Sequence, residues 1–300
     1  MDNKVLEKLD KLVNEGKITP EEKEELLEAM GIKKETTQAS LGLPEEIEIQ
    51  GFKSADLEIS GDNSVNCIII EEGSEFIDTK MEGSTLKIYP EFLGRKIFGI
   101  FGLLRIKLRM PSSVQEIAIK LVSGDLNIYN MSSRFLISLV SGDVKISQVD
   151  GKLNVNAISG DISIDDFNGE AEVVTKSGDI KVGNSKIKGI LKTYSGDISL
   201  SEAELGEFKL STYSGDIDIE KADFKGNGEI VTYFGDIEIE GNVNDISLKT
   251  ETLSGEIYGA KLIEESLNKG KPLYEITART KSGDISLKDI SKGGRNEWRN

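Results

Sequence analysis

The 300-residue chain contains no histidine, a single cysteine, a single tryptophan and only 6% aromatic residues. Without histidine there is no Ser-His-Asp or Cys-His nucleophile pair, no imidazole base and none of the commonest zinc ligand. Cys67 has no partner for an internal disulfide; it lies in the apolar run Cys67-Ile68-Ile69-Ile70 and reads as a buried strand thiol. The longest apolar stretch, Ile97 to Leu104, is far short of the roughly 20 residues that cross a bilayer as a helix. Walker loops, dinucleotide fingerprints, paired-cysteine metal spacings and nucleophile elbows are all missing. The opening residues, Met1-Asp2-Asn3-Lys4-Val5-Leu6-Glu7, are charged and helical in pattern rather than basic and then apolar. The expected location is therefore the cytoplasm, or the inner membrane face as a peripheral protein.

Acid is what the chain has in excess. Asp and Glu total 53 against 37 Lys and Arg, a net charge of −16. Such a surface repels nucleic acid and anionic lipid and favours cations or basic partners. Nucleic-acid binding is not expected.

The chain divides into segments. Residues 1–32 read as a helical hairpin: Leu6, Leu9 and Leu12 give a 3.6-period stripe ended by Gly16, and Leu26, Leu27 and Met30 form a second. Thr19-Pro20-Glu21-Glu22 is a helix start, with Thr19 as cap and Glu22 closing the capping box. Two helices this short cannot bury enough surface alone, so they must pair with a copy, a partner or the rest of the chain. Gly16-Lys17-Ile18-Thr19 resembles the turn of the short bacterial oligomerisation hairpins called SHOCT-like. A polar linker, 33–44, leads to strands without a strict repeat over 45–111. Among these, Glu46-Ile47-Glu48-Ile49 and Asp56-Leu57-Glu58-Ile59 alternate cleanly, and Ser64 to Ile70 and Thr85 to Tyr89 continue the pattern. Ile97 to Leu104 either packs on the first coil or contacts a membrane or partner. Residues 292–300 form a polar tail.

Residues 112–291 carry the strongest signal. Ser-Gly-Asp recurs at Gly124, Gly142, Gly160, Gly178, Gly196 and Gly215, with variants at Gly235, Gly255 and Gly283; the intervals are 18, 18, 18, 18, 19, 20, 20 and 28. Apolar residues alternate on both sides of each glycine, as in Ile117, Ile119, Leu121 before it and Leu126, Ile128 after it. A further inward position seven after the glycine holds Val149, Phe167, Ala203, Ala222 and Ile290. Period-two alternation means short strands with one buried face, and a fixed period means that the copies stack in register. The prediction is an all-β chain: a parallel β-solenoid of about 18-residue coils, right-handed by the crossover rule, behind a small α-helical hairpin. Nine glycine marks at about 4.8 Å per rung give a rod on the order of 40 Å. The glycine is needed where the chain bends at positive φ. A hexapeptide helix would need an aliphatic residue every six, and a calcium β-roll a Gly-Asp every nine; neither fits. The extra residues before Gly283 fall within Gly259 to Leu273 and are expected to loop out.

In-register stacking aligns Asp125, Asp143, Asp161, Asp179, Asp197 and Asp216 in one column. Carboxylates about 5 Å apart repel by about 1 kcal/mol even in bulk water. Three things can offset this: turn hydrogen bonds to backbone N–H groups with Lys120, Lys145, Lys176 and Lys192 nearby, calcium or another hard cation between rungs, or raised carboxyl pKa values. Two residues before the glycine stand Tyr194, Tyr213 and Tyr233, flanked by Lys176 and Leu253 and pointing outward by alternation. Such a column can stack sugar rings, receive a partner's apolar strip, or stack on itself.

The strands Asp56-Leu57-Glu58-Ile59 and Arg105-Ile106-Lys107-Leu108-Arg109-Met110-Pro111, with the recurrent Ser-Gly-Asp-Ile-x-Ile, resemble the bacterial putative-adhesin family of unknown function. The resemblance implies a β-solenoid over most of the chain, often with such a hairpin, in proteins associated with envelope-stress operons. It implies no catalytic residues. The leading expectation is a non-catalytic scaffold or interaction protein, oligomerised by its hairpin and needing no cofactor. The alternative is a carbohydrate-binding or calcium-dependent adhesin-like rod. A third class, a polysaccharide lyase, rests only on the fact that parallel β-helices host such enzymes.

Overall fold

The computed structural model describes residues 43–91, 104–243, 245–259 and 272–290. The predicted hairpin, most of the linker, the Ile97–Leu104 run up to residue 103 and the polar tail lie outside the described residues. Within them the chain is all-β, with one short 3-10 turn at Ser74–Phe76, and its strands join in a single 21-stranded sheet.

The sheet is a parallel ladder whose offset is the sequence repeat. Leu126–Ser141 pairs with Val144–Ser159, placing Leu126 beside Val144, Phe135 beside Leu153 and Ser141 beside Ser159. Val144–Ser159 pairs in the same way with Ile162–Val174. Isolated bridges carry the serine column onward from Ser159 through Ser177, Ser195 and Ser214. The inward residues on both sides of each glycine are buried, from Ile119, Ile137 and Val155 to Ile198, Ile217 and Ile237. β-branched side chains fit this pleated, one-sided core.

Left-handed residues recur at fixed places in the rungs from Gly124 to Gly215, and two of these places mark corners. At the first, glycine is required twice over. Gly142 has φ of 132°, and a Cβ there would lie 2.1 Å from the carbonyl oxygen of Gly124 in the rung below. The second corner falls six residues later, where Asn130, Gln148, Asp166, Asn184, Glu202 and Lys221 have φ between 44° and 57°. Asn and Asp tolerate that left-handed conformation by bonding locally. Lys221 Nζ donates to Glu202 Oε1 of the adjacent rung at 2.8 Å.

Three expectations need correction. First, Ser64 to Ile68 is not strand. Strand begins at Ile69, and Cys67 is half-buried in a bend; of the apolar run Ile68 joins the core and Ile70 packs against it. Second, the rungs do not stack in chain order. Tyr274–Ser282 and Ile285–Asp289 lie between the Gly235 and Gly255 rungs, pairing with Gly228–Val231 and Ile237–Asn242 on one side and with Ile246–Ser254 and Ile257–Tyr258 on the other. The 28-residue interval thus separates two rungs that are neighbours in reversed order. The other end repeats the device. Glu46–Phe52 and Ala55–Gly61 lie between the rung of Thr85–Pro90 and Leu104–Met110 and the first regular rung. There Ile69–Glu72 and Ile77–Glu82 add antiparallel partners beyond it. Third, Ile290 is only half-buried, so it is a weaker core member than Val149 or Phe167.

The 19- and 20-residue intervals have a local cause. One residue, Glu170, separates the paired positions Gly169 and Ala171, and one, Lys188, separates Ile187 and Gly189. In the next rung two residues, Gly206 and Glu207, stand between the partners Leu205 and Phe208. In the one after, three residues, Lys225, Gly226 and Asn227, stand between Phe224 and Gly228. Through the Gly196 and Gly215 rungs the added length is therefore inserted at one place as a widening bulge.

Candidate functional site

The aspartate column exists as aligned, and its chemistry is directed along the stack. Oδ1 of Asp125 accepts the backbone N–H of Asp143, Oδ1 of Asp143 that of Asp161, and so on through Asp179, Asp197, Asp216 and Asp236, at 2.8–3.0 Å. Asp56 extends the column below, accepting from Asp125 N. Above, its order follows the stack and not the chain: Asp236 accepts from Asp284 N and Asp284 from Glu256 N. Each acid thus holds the first backbone donor of the next rung's turn, which offsets the repulsion between neighbours. The lysine beside the column is Lys181, 3.6 Å from Asp179 Oδ2. Lys192 instead lies over the ring of Tyr194, 4.9 Å from its centroid. Among the described residues no three Cys, Asp or Glu side chains converge as a metal-holding group.

A weakened acid is found one step along the same face. Asp218 is half-buried, and burial pushes its carboxyl above the ordinary aspartate range, aided by the charges of Glu238, Asp216, Asp197 and Glu220. At the far side of the molecule the opposite holds. Lys80 and Lys87 both bind Glu82 and bring its carboxyl down to about 2.

The tyrosine column is also formed, and each ring is about half exposed. Tyr213 and Tyr233 stack with centroids 5.3 Å apart, and Phe234 meets Tyr213 edge-on at 5.5 Å. One face of Tyr213 and one of Tyr233 are therefore taken up by their mutual stacking, and Lys192 lies over Tyr194. The column also runs further than its tyrosines, since Val122, Val140 and Ile158 occupy the same outward place in earlier rungs.

A column that alternation alone did not pick out lies directly beneath. Three residues before the glycine, the inward Leu121, Leu139 and Ala157 give way to Thr175, Thr193, Thr212, Thr232, Thr280 and Thr252, most of them buried. From Thr193 on, each hydroxyl donates to the glycine carbonyl of the adjacent rung, as in Thr193 to Gly178 at 3.1 Å and Thr212 to Gly196 at 3.0 Å. The recurring Thr-x-Ser-Gly spelling was the available signal, because a threonine repeated at an inward position must bond something.

A family model, Toastrack DUF4097, matches residues 44–288, most of the chain and the whole ladder just described. The chain belongs to the Toastrack DUF4097 family. Membership agrees with the resemblance to a putative-adhesin family of unknown function read from the sequence. No curated protein matches this Toastrack chain. Among solved structures it is similar to a putative adhesin from Bacteroides fragilis, 16% identical over 81% of this chain and 92% of that one, with a TM-score of 0.45. It is similar also to a putative lipid binding protein from Parabacteroides distasonis, 18% identical over 83% and 94%, with a TM-score of 0.45. A putative cell adhesion protein from Clostridium sporogenes matches at 11% identity and a TM-score of 0.18. No helix among the described residues of the Toastrack chain is long and apolar enough to cross a membrane.

Proposed function

We propose that this protein is a non-catalytic scaffold that presents side-chain columns at rung spacing to a binding partner, with residues 1–32 as its oligomerisation module. One observation carries the reading. The repeated polar groups along the glycine corner are already used to hold rung to rung: aspartate Oδ1 on a backbone N–H, threonine hydroxyl on a glycine carbonyl. A column built this way gives every rung the same environment, whereas catalysis needs one place with its own acid, base and binding pocket. The rival, a calcium-dependent adhesive rod, would have to use the Oδ2 atoms that take no part in the ladder.

Thermal unfolding of the intact chain in EDTA and in calcium, with a magnesium control at matched ionic strength, separates the two. The scaffold reading expects the same melting temperature throughout. It also expects Asp179→Asn, which keeps an acceptor oxygen, to be tolerated, and Asp179→Ala to lose about 1–2 kcal/mol. A calcium-specific rise that disappears in Asp179→Asn would replace the scaffold with the adhesive rod.

A further inference from the structure

The regular rungs offer the same surface at every step, so the place to look for a ligand is where the repeat is broken. The widening bulge is that place. It opens a groove of about 570 Å³ across four successive rungs. Bulge residues from four rungs, Glu170, Lys188, Glu207 and Asn227, all line it. The lengthening of the repeat thus has a spatial result, and bulges of this kind recur where a sheet re-aims side chains toward a ligand. A cleft of this volume is within the range of small-molecule sites.

We propose that this groove binds a neutral saccharide chain lying across the rungs. The proposal rests on the scaffold reading and names its ligand class. Charge is the first argument. Lys188 and Lys209 face Glu170, Glu207 and Glu229 in the lining, so a protein of net charge −16 has here a nearly balanced surface that selects neither anions nor cations. Preorganisation is the second. Lys209 binds Glu229 at 2.6 Å, Lys188 lies 3.9 Å from Glu170, and Asn227 Oδ1 accepts the backbone N–H of Glu275 at 2.9 Å. Donors and acceptors are therefore held in alternation before a ligand arrives, the pattern that vicinal hydroxyls match.

The floor is the third argument. Gly189 and Gly228 leave the backbone bare, with half-exposed Ile190 beside them. At position 228 the ring of Phe208 takes the place a Cβ would fill, 2.1 Å away, so a side chain there would displace that ring. A peptide strand is the wrong guest. Gly189, Phe208 and Gly228 are already paired in the parallel sheet, so at those positions no strand edge is on offer to it. The tyrosine column is the weaker place for a sugar, since Tyr213 and Tyr233 stack on each other and Lys192 lies over Tyr194.

Titration of the isotope-labelled full chain with maltotetraose, cellotetraose and chitotetraose, followed by amide NMR, tests this. The expected result is saturable shifts for at least one of them, confined to residues 188–190, 207–209 and 227–229. Glu207→Ala combined with Lys209→Ala should weaken binding at least about tenfold, while Tyr213→Ala leaves it unchanged. No shifts with any of the three sugars, or shifts centred on Tyr194, Tyr213 and Tyr233, overturns the site. Stronger shifts with polylysine or heparin than with the sugars overturns the ligand class. Cleavage of a bound sugar, visible in its anomeric signals, would leave the site standing and remove the non-catalytic reading instead.

Discussion

The rungs marked by Gly124, Gly142 and Gly160 and those marked by Gly196, Gly215 and Gly235 share one glycine corner but close the approach to it differently. In the earlier set the inward place before the corner holds Leu121, Leu139 and Ala157, and strand continues unbroken through Ser141 and Ser159. In the later set it holds Thr193, Thr212 and Thr232, and strand stops at Lys192, Ser211 and Val231, one residue short of the threonine. A corner can be secured by filling volume or by a buried hydroxyl on the neighbouring rung's glycine carbonyl. The outward neighbour changes with it, from Val122, Val140 and Ile158 to the tyrosines. At Thr212 and Thr232 the inner residue is fixed by a hydrogen bond, and the outer neighbours Tyr213 and Tyr233 stack on each other.

The comparison can be broken most forcefully at what the two sets share. Gly142→Ala and Gly196→Ala should each lose more than about 3 kcal/mol in denaturant unfolding, because both meet a stacked carbonyl and a positive φ. If one set tolerated alanine, the corner would not be common to both. Next come the residues that differ. Leu139→Thr should lose about 2–3 kcal/mol through lost apolar volume. Thr212→Val keeps the shape but strands a glycine carbonyl, and should lose about 1–2 kcal/mol. Equal small losses would mean that either corner accepts either solution.

The smallest effect is one of pH. The carboxyl of Asp218 is raised in the folded chain, so the fold gives up stability as pH rises from the ordinary aspartate value through the raised one. Asp218→Asn should therefore be the more stable protein at neutral pH, by about 0.5 kcal/mol or less, and should lose that advantage below the window. An advantage that persisted in acid would assign the gain to something other than charge.

The ladder was legible because its code is periodic. One glycine every eighteen residues, with alternation on both sides, specifies parallel strands, their inward residues and both outward columns. The aspartate–backbone bond was one of three readings of the column, and choosing between them needed a direction for Oδ1 that spacing does not contain. What stayed hidden was not periodic. The insertion of the Gly283 rung inside the Gly255 rung cannot be read from intervals, since a long interval describes a loop and a doubling-back equally well. The groove lay behind two intervals only one and two residues too long. The numbers show that residues were added, and only the pairing register shows that both additions fall at one point of the rung.

The exchange of order at the two ends sets how the stack can be assembled. A rod whose rungs stacked as they were synthesised could grow one layer at a time and could fray from its ends in the same way. Here the first described rung is covered by strands made after it, and the last must enter beside a rung made before it. Assembly therefore cannot finish by simple addition at the tip, and loosening the outermost layer does not release the chain's outermost strands. The two end layers act as clasps over the segments through which the rest of the chain is tethered.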